Sequence, residues 1–237
     1  MKLRIIFTIT AALFAQTTIA EDSGFLSDYS VLQSSGEHGN AMIFMAEGAE
    51  EALAQYDSVM IDQPELFISA DSKYKGMKPD TMVTLAEALR AAITEGVQDR
   101  FGVVESPGDN VLYMRTAATN LYIKKAKRGL LSFTPVGLVA NAVKQAGSEF
   151  LDKNTLVELT LEAEIQDSTG NTLAAIVIQR GQRKDKAQKL KEAPATWEEL
   201  RFVVVALGAR LGCRLDNARM PQDQRSNCLD ILLKSSE

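Results

Sequence analysis

VLYMRTAATNLYIKK, residues 111–125, is the stretch whose reading decides the fold. It is rich in β-branched and aromatic residues (Val111, Tyr113, Thr116, Thr119, Tyr122, Ile123). Pro107-Gly108-Asp109-Asn110 stand directly before it, so it reads as a long strand entered from a hairpin. Its apolar residues fall on both parities, which is the pattern of a strand covered on at least part of both faces and predicts a central position in a sheet. Behind it come a basic and apolar connector, residues 126–133, and a helix-like segment, residues 135–146. Thr134-Pro135 supplies an N-cap and a proline at the first helical position, and Gly147 a C-cap.

Working outward, residues 155–166 alternate cleanly. Val157, Leu159, Leu161, Ala163 and Ile165 face one way; Glu158, Thr160, Glu162, Glu164 and Gln166 face the other. Asp167-Ser168-Thr169-Gly170-Asn171 turns this strand into residues 172–179, a hairpin partner. Three carboxylates on one strand face invite a metal or acid/base reading. No calcium-type ligand loop accompanies them, and we read the stripe as the solvated side of an antiparallel strand. Residues 180–191, with Arg180, Arg183, Lys184, Lys186, Lys189 and Lys191, read as a mobile basic surface loop. Thr196-Trp197-Glu198-Glu199 then opens a final helix whose buried stripe is Leu200, Val203, Val204, Leu207, Leu211 and Leu215.

Upstream, Met82, Leu85, Ala86, Leu89, Ile93 and Val97 mark one face of a helix that follows Pro79-Asp80 and leads into a strand at residues 101–105. Residues 58–61 and 66–69 are short strand pieces interrupted by Pro64, which belongs at an edge or bulge. Residues 37–40 are a loop, and residues 41–54 read as a helix or an irregular insertion. Phe25, Leu26, Tyr29 and Leu32 form an apolar subset that could lie against the body. The class is α+β: a mainly antiparallel sheet of the strands near residues 58, 101, 111, 155 and 172, with helices near residues 81, 135 and 196 packed on one face.

Lys2 and Arg4, the apolar run 5–15 and Thr18-Ile19-Ala20 before Glu21 have the layout of a cleaved signal peptide over residues 1–20, too short to span a bilayer. Export to the periplasm is the expectation, with residues 21–237 as a single domain, since no Gly/Ser-rich or Pro-rich linker interrupts them. The formal net charge is −5, and the signal segment holds only basic charges, so the remainder is more acidic still. That argues against nucleic acid as a partner. In an oxidising compartment Cys213 and Cys228 can close a disulfide that pins the C-terminal tail to the last helix, worth roughly 3 kcal/mol in the loop-entropy picture. A metal pair or a catalytic thiol lacks partners, because His38 is the only histidine.

Phe25-Leu26-Ser27-Asp28-Tyr29, Val59-Met60-Ile61-Asp62 with Phe67, Lys73-Tyr74-Lys75-Gly76 with Lys78-Pro79, Arg128-Gly129-Leu130-Leu131 with Thr134-Pro135-Val136-Gly137, Thr169-Gly170, and Cys213-Arg214-Leu215-Asp216-Asn217 together resemble a family of secreted bacterial envelope proteins. It is the domain of unknown function 3313 family, many of whose members are predicted lipoproteins. The resemblance implies a location and no activity, and it brings no catalytic residues. Since no cysteine precedes Cys213, a soluble periplasmic form is expected in place of a lipid-anchored one.

The chain has no Gly-x-Ser-x-Gly elbow, phosphate-binding Gly-Lys loop, dinucleotide glycine fingerprint or His-Glu-x-x-His zinc helix, and His38 reads as a solvated loop residue. We expect no cofactor and no catalysis, but a binding or assembly module acting through its surface on an envelope protein or a membrane face. The candidate surface is the connector, where Lys124, Lys125, Lys127 and Arg128 adjoin Leu130, Leu131 and Phe133. The commoner reading of such a loop taken alone is that Leu130 and Phe133 seal the core and the lysines are solvated. Two other functions make structural demands. A small-ligand or lipid carrier requires an apolar cavity of roughly several hundred cubic ångströms between sheet and helices. A carboxylate-dependent hydrolase requires two acids converging in a cleft.

Overall fold

The computed structural model describes residues 22–35, 41–72, 78–125, 154–181 and 197–228. Their strands are β1 (Gln33–Ser34), β2 (Ala41–Met45), β3 (Ser58–Ile61), β4 (Glu65–Ile68), β5 (Gly102–Val104), β6 (Val111–Lys125), β7 (Asn154–Gln166) and β8 (Thr172–Gly181). The helices are α1 (Ala49–Leu53), α2 (Pro79–Gln98) and α3 (Trp197–Ala218), with a final 3-10 turn at Gln222–Gln224. The eight strands form one mixed sheet in the order β1-β2-β8-β7-β6-β3-β5, with β4 also paired to β6. It is mostly antiparallel; β3 and β4 run parallel to β6, and β5 parallel to β3. The class is α+β, as the sequence implies.

β6 is the central strand. Leu112, Met114, Ala118, Leu121 and Ile123 lie in the apolar clusters beneath α2 and α3, while Ala117 and Thr119 are buried on the opposite face. Its mixed parity has a second origin that periodicity alone does not reveal. Asn120 sits in the left-handed region (φ 50°) and the pairing with β7 shifts there, so even residues face the helices before it and odd residues after it.

Three sequence expectations change. The turn at residues 107–110 does not close a hairpin, because β3 lies between β5 and β6 and both pair with it in parallel. Residues 41–54 are neither one helix nor an insertion: 41–45 extend the sheet by pairing antiparallel with β8, and α1 follows. Arg180 is not in a loop but in β8, opposite Leu159, and is half-buried. Residues 1–20, His38, the helix expected at 135–146 and the basic residues from Arg183 to Lys191 lie outside the described residues.

α2 and α3 pack side by side on one face with their backbones in close approach. A Cβ added at Gly208 would sit 2.6 Å from the Ile93 carbonyl oxygen, and one at Gly212 would sit 2.8 Å from that of Val97. Cys213 and Cys228 are disulfide-bonded. The tail they tether is also held by Asn217, whose Nδ2 donates to the Ser226 carbonyl (2.8 Å) and whose Oδ1 accepts from the Ser226 N–H (2.9 Å). Arg225 of the same tail pairs with Glu50 of α1.

Candidate functional site

The two faces of the sheet present two clusters of interest, and the first overturns an expectation. Glu158, Glu162 and Glu164, read above as a solvated stripe, are buried at 3%, 2% and 1% exposure. The N-terminal segment folds back over them: Phe25, Leu26, Tyr29 and Leu32 pack with Ala117, Ala175 and Val177. Small residues on β6 and β8 leave room for this strap, and its polar groups answer the carboxylates beneath it. The Tyr29 hydroxyl donates to Glu162 Oε2 at 2.5 Å, and Thr119 Oγ1 donates to the other oxygen. Burial and the bond to Glu162 together push the Tyr29 phenol above its usual pKa. Glu164 accepts from Arg115 Nη1 (3.1 Å), Thr172 Oγ1 (2.7 Å) and Gln166 Nε2 (3.2 Å), and Arg115 in turn lies 4.8 Å from the centroid of the Phe25 ring. Glu162 and Glu164, held this way, are structural, since their hydrogen-bonding capacity is engaged by protein groups.

The opposite face is apolar and incompletely filled. Its side chains divide into two clusters, one around Leu121, Leu156, Leu159, Trp197, Leu200 and Val204 and the other around Leu112, Met114, Ile165, Leu173 and Leu215, with Ile93 packed against both. Between them the sheet register sets small side chains next to one another, Thr116 on β6 beside Ala163 on β7. α3 meets the sheet through Val204 toward one end and Leu215 toward the other, and bridges the low ground between them. The result is a cavity of about 740 Å³, floored by β2, β8, β7 and β6 and walled by α3. Ile43, Ile176, Leu207 and Leu211 line it and are only half-buried, and Met45 at its edge is 50% exposed. Thr116 Oγ1, on the floor and buried, has no hydrogen-bond partner among the described residues.

The charges on this cavity are mainly cationic. Arg180 from β8, Arg210 and Arg214 from α3 and Arg225 from the tail all contribute to its lining. Of the two acidic residues there, Glu50 pairs with Arg225, and the carboxylate of Glu162 points to the opposite face of the sheet. Burial lowers the pKa of Arg180. At Arg210 burial does the same, reinforced by repulsion from Arg214 and Arg180.

Of the sequence-predicted site residues, Cys213 and Cys228 come together as the disulfide. Lys124 is exposed on β6 with its ammonium 5.6 Å from the centroid of the Tyr122 ring, and Lys125 ends the strand opposite Asn154. Lys127, Arg128, Leu130, Leu131 and Phe133 lie outside the described residues. A second hollow, of about 610 Å³, carries Asp109 and Asp167. Both Asp167 oxygens are occupied by its own turn, accepting from the Thr169 and Asn171 N–H groups and from the Asn171 side-chain amide. Among the described residues no group of His, Cys, Asp and Glu is arranged to hold a metal.

The family model described as "Protein of unknown function (DUF3313)" matches residues 21–211, and the chain belongs to that family. No curated protein matches it. Among solved structures, the PelC dodecamer from Paraburkholderia phytofirmans is similar at 12% identity and a TM-score of 0.38, over 74% of this chain and 96% of that one. A putative neuraminyllactose-binding hemagglutinin homolog from Helicobacter pylori is similar at 12% identity and a TM-score of 0.31, over 77% of this chain and 90% of that one.

Proposed function

We propose that this family member is a non-enzymatic binding protein of the bacterial cell envelope, and that its ligand site is the apolar cavity between the sheet and α3. The cavity carries the reading. A void of about 740 Å³ lies inside the range of ligand pockets, about 300–1,000 Å³. Leaving Ile43, Ile176, Leu207 and Leu211 half-covered forgoes apolar burial of roughly 25 cal/mol per Å², which an apolar ligand recovers. The signal-peptide layout of residues 1–20 and the Cys213–Cys228 disulfide support an exported setting. In this reading Glu162 and Glu164 are part of the scaffold, because the strap engages the first, sheet side chains engage the second, and the cavity wall is cationic.

A neutral fluorescent probe, N-phenyl-1-naphthylamine, tests the site. The wild-type protein is expected to bind it with enhanced fluorescence, and Ala163→Trp, which places an indole over the floor, is expected to abolish the signal while circular dichroism stays native. A wild type that gives no enhancement, or a folded Ala163→Trp variant that binds equally well, would move the function away from this cavity.

A further inference from the structure

The cavity is apolar along its floor and cationic along its border. Arg210 and Arg214 are one turn apart on α3, and Arg180 ends the cavity on β8, all within a chain whose formal net charge is −5. Arg214 is exposed, whereas Arg180 and Arg210 are half-buried. Among the described residues neither Arg180 nor Arg214 has a carboxylate within ion-pair distance. Arg210 lines the cavity with them, and burial together with repulsion from Arg214 and Arg180 lowers its pKa. Holding Arg180 and Arg214 at the edge of an apolar void with no carboxylate in reach among the described residues is unfavourable by itself, and an incoming anion reverses the sign. Guanidinium groups grip a carboxylate through paired N–H donors, and that geometry also discriminates against an uncharged ester.

We propose that the cavity binds a single-chain fatty-acid anion, its chain lying over Ala163 beneath Leu207 and Leu211 and its carboxylate held among Arg180, Arg210 and Arg214. This rests on the cavity being the ligand site and adds the chemical class of the ligand. The half-buried apolar walls take the chain, and the border takes the charge that would otherwise keep a carboxylate in water.

The experiment compares 11-(dansylamino)undecanoic acid with its methyl ester, which has the same chain and fluorophore and no charge. The wild type is expected to bind the acid about tenfold more tightly than the ester, about 1.4 kcal/mol. Arg180→Gln/Arg210→Gln is expected to bring the acid down to the level of the ester and leave ester binding unchanged. Arg214→Gln, at an exposed position, is expected to weaken acid binding alone by roughly threefold, and it decides the matter if the double variant does not fold. Equal binding of acid and ester by the wild type overturns the proposal while leaving the cavity as a site for neutral ligands. Failure of acid, ester and the neutral naphthylamine alike overturns the cavity reading itself.

Discussion

On one face of the sheet Glu162 and Glu164 are 2% and 1% exposed beneath the N-terminal strap; on the other, Ile43, Ile176, Leu207 and Leu211 remain half-covered and Met45 is 50% exposed. Beneath the strap a polar patch is sealed, and beside α3 part of an otherwise buried apolar face stays open, the reverse of what a half-solvated sheet leads one to expect at those two places. The difference teaches that the pattern along a strand records the chemistry of each face, and the rest of the chain decides which face water reaches. On the sealed face, polarity persists because Tyr29, Thr119, Arg115 and Thr172 satisfy it. On the open face, apolar groups persist because leaving them partly wet is tolerable and something apolar can be exchanged for that water.

The most forceful way to break this comparison is Glu164→Ala. It removes the buried acceptor shared by Arg115, Thr172 and Gln166, leaving Arg115 its longer pair with Glu65, and is expected to destabilise the fold by about 3 kcal/mol in urea titration, with part of the loss recovered in Glu164→Ala/Arg115→Met. A loss below about 1 kcal/mol would show the carboxylate to be far less buried in solution than its 1% exposure implies. A matched pair sharpens the contrast. Ala175→Leu, under the strap, is expected to cost about 1–3 kcal/mol by overpacking, whereas Ala163→Leu on the cavity floor should shift stability by less than about 1 kcal/mol in either direction. Equal costs would mean that the cavity is not open space.

The same contrast separates what was legible in the sequence from what was not. β6, β7, β8, α2 and α3 announced themselves through periodicity, caps and turns, and the disulfide through two cysteines in a chain whose first residues have a signal-peptide layout. Those signals are local. The strap is a long-range event: Tyr29 reaches Glu162 across 133 residues, and nothing within residues 155–166 says that their polar side will be covered. A hint lay in Ala117, Thr119 and Ala175, whose small size matters only once the register is known. The cavity was hidden for the same reason, since Thr116 and Ala163 become neighbours through pairing alone. Arg180 reads as part of a basic run because the charged residues after it outweigh the strand it belongs to.

Two smaller effects complete the test. Tyr29→Phe removes one donor from Glu162 and is expected to cost about 1–2 kcal/mol and to make the strap more susceptible to limited proteolysis, with the cavity still binding the naphthylamine probe. Concurrent loss of probe binding would join the two faces into one cooperative unit. Least in size is the acid response of the β7–β8 turn. Although desolvation acts upward, hydrogen bonds from Asn171 and Thr169 bring Asp167 down to about 2. A depressed carboxylate stabilises the fold above its unfolded pKa of about 3.9, and that contribution disappears as pH falls from about 4 to 2. In this exposed turn the effect should stay below about 1 kcal/mol, and Asp167→Asn should remove it from the pH profile of thermal unfolding.

The close approach of α2 and α3 at Gly208 and Gly212 governs the open face in a way unrelated to its lining. Packed helices stand about 8–10 Å apart and strands about 4.8 Å, so a pair of helices roofs roughly four strands. Drawn together over their glycines, these two make a narrow roof over β3, β6 and β7, and β2 with the part of β8 beyond Leu173 lies past its eave. A single methyl group at Gly208 would push the eave outward. The width of the opening is therefore set on the far side of α3, by side chains that are missing there.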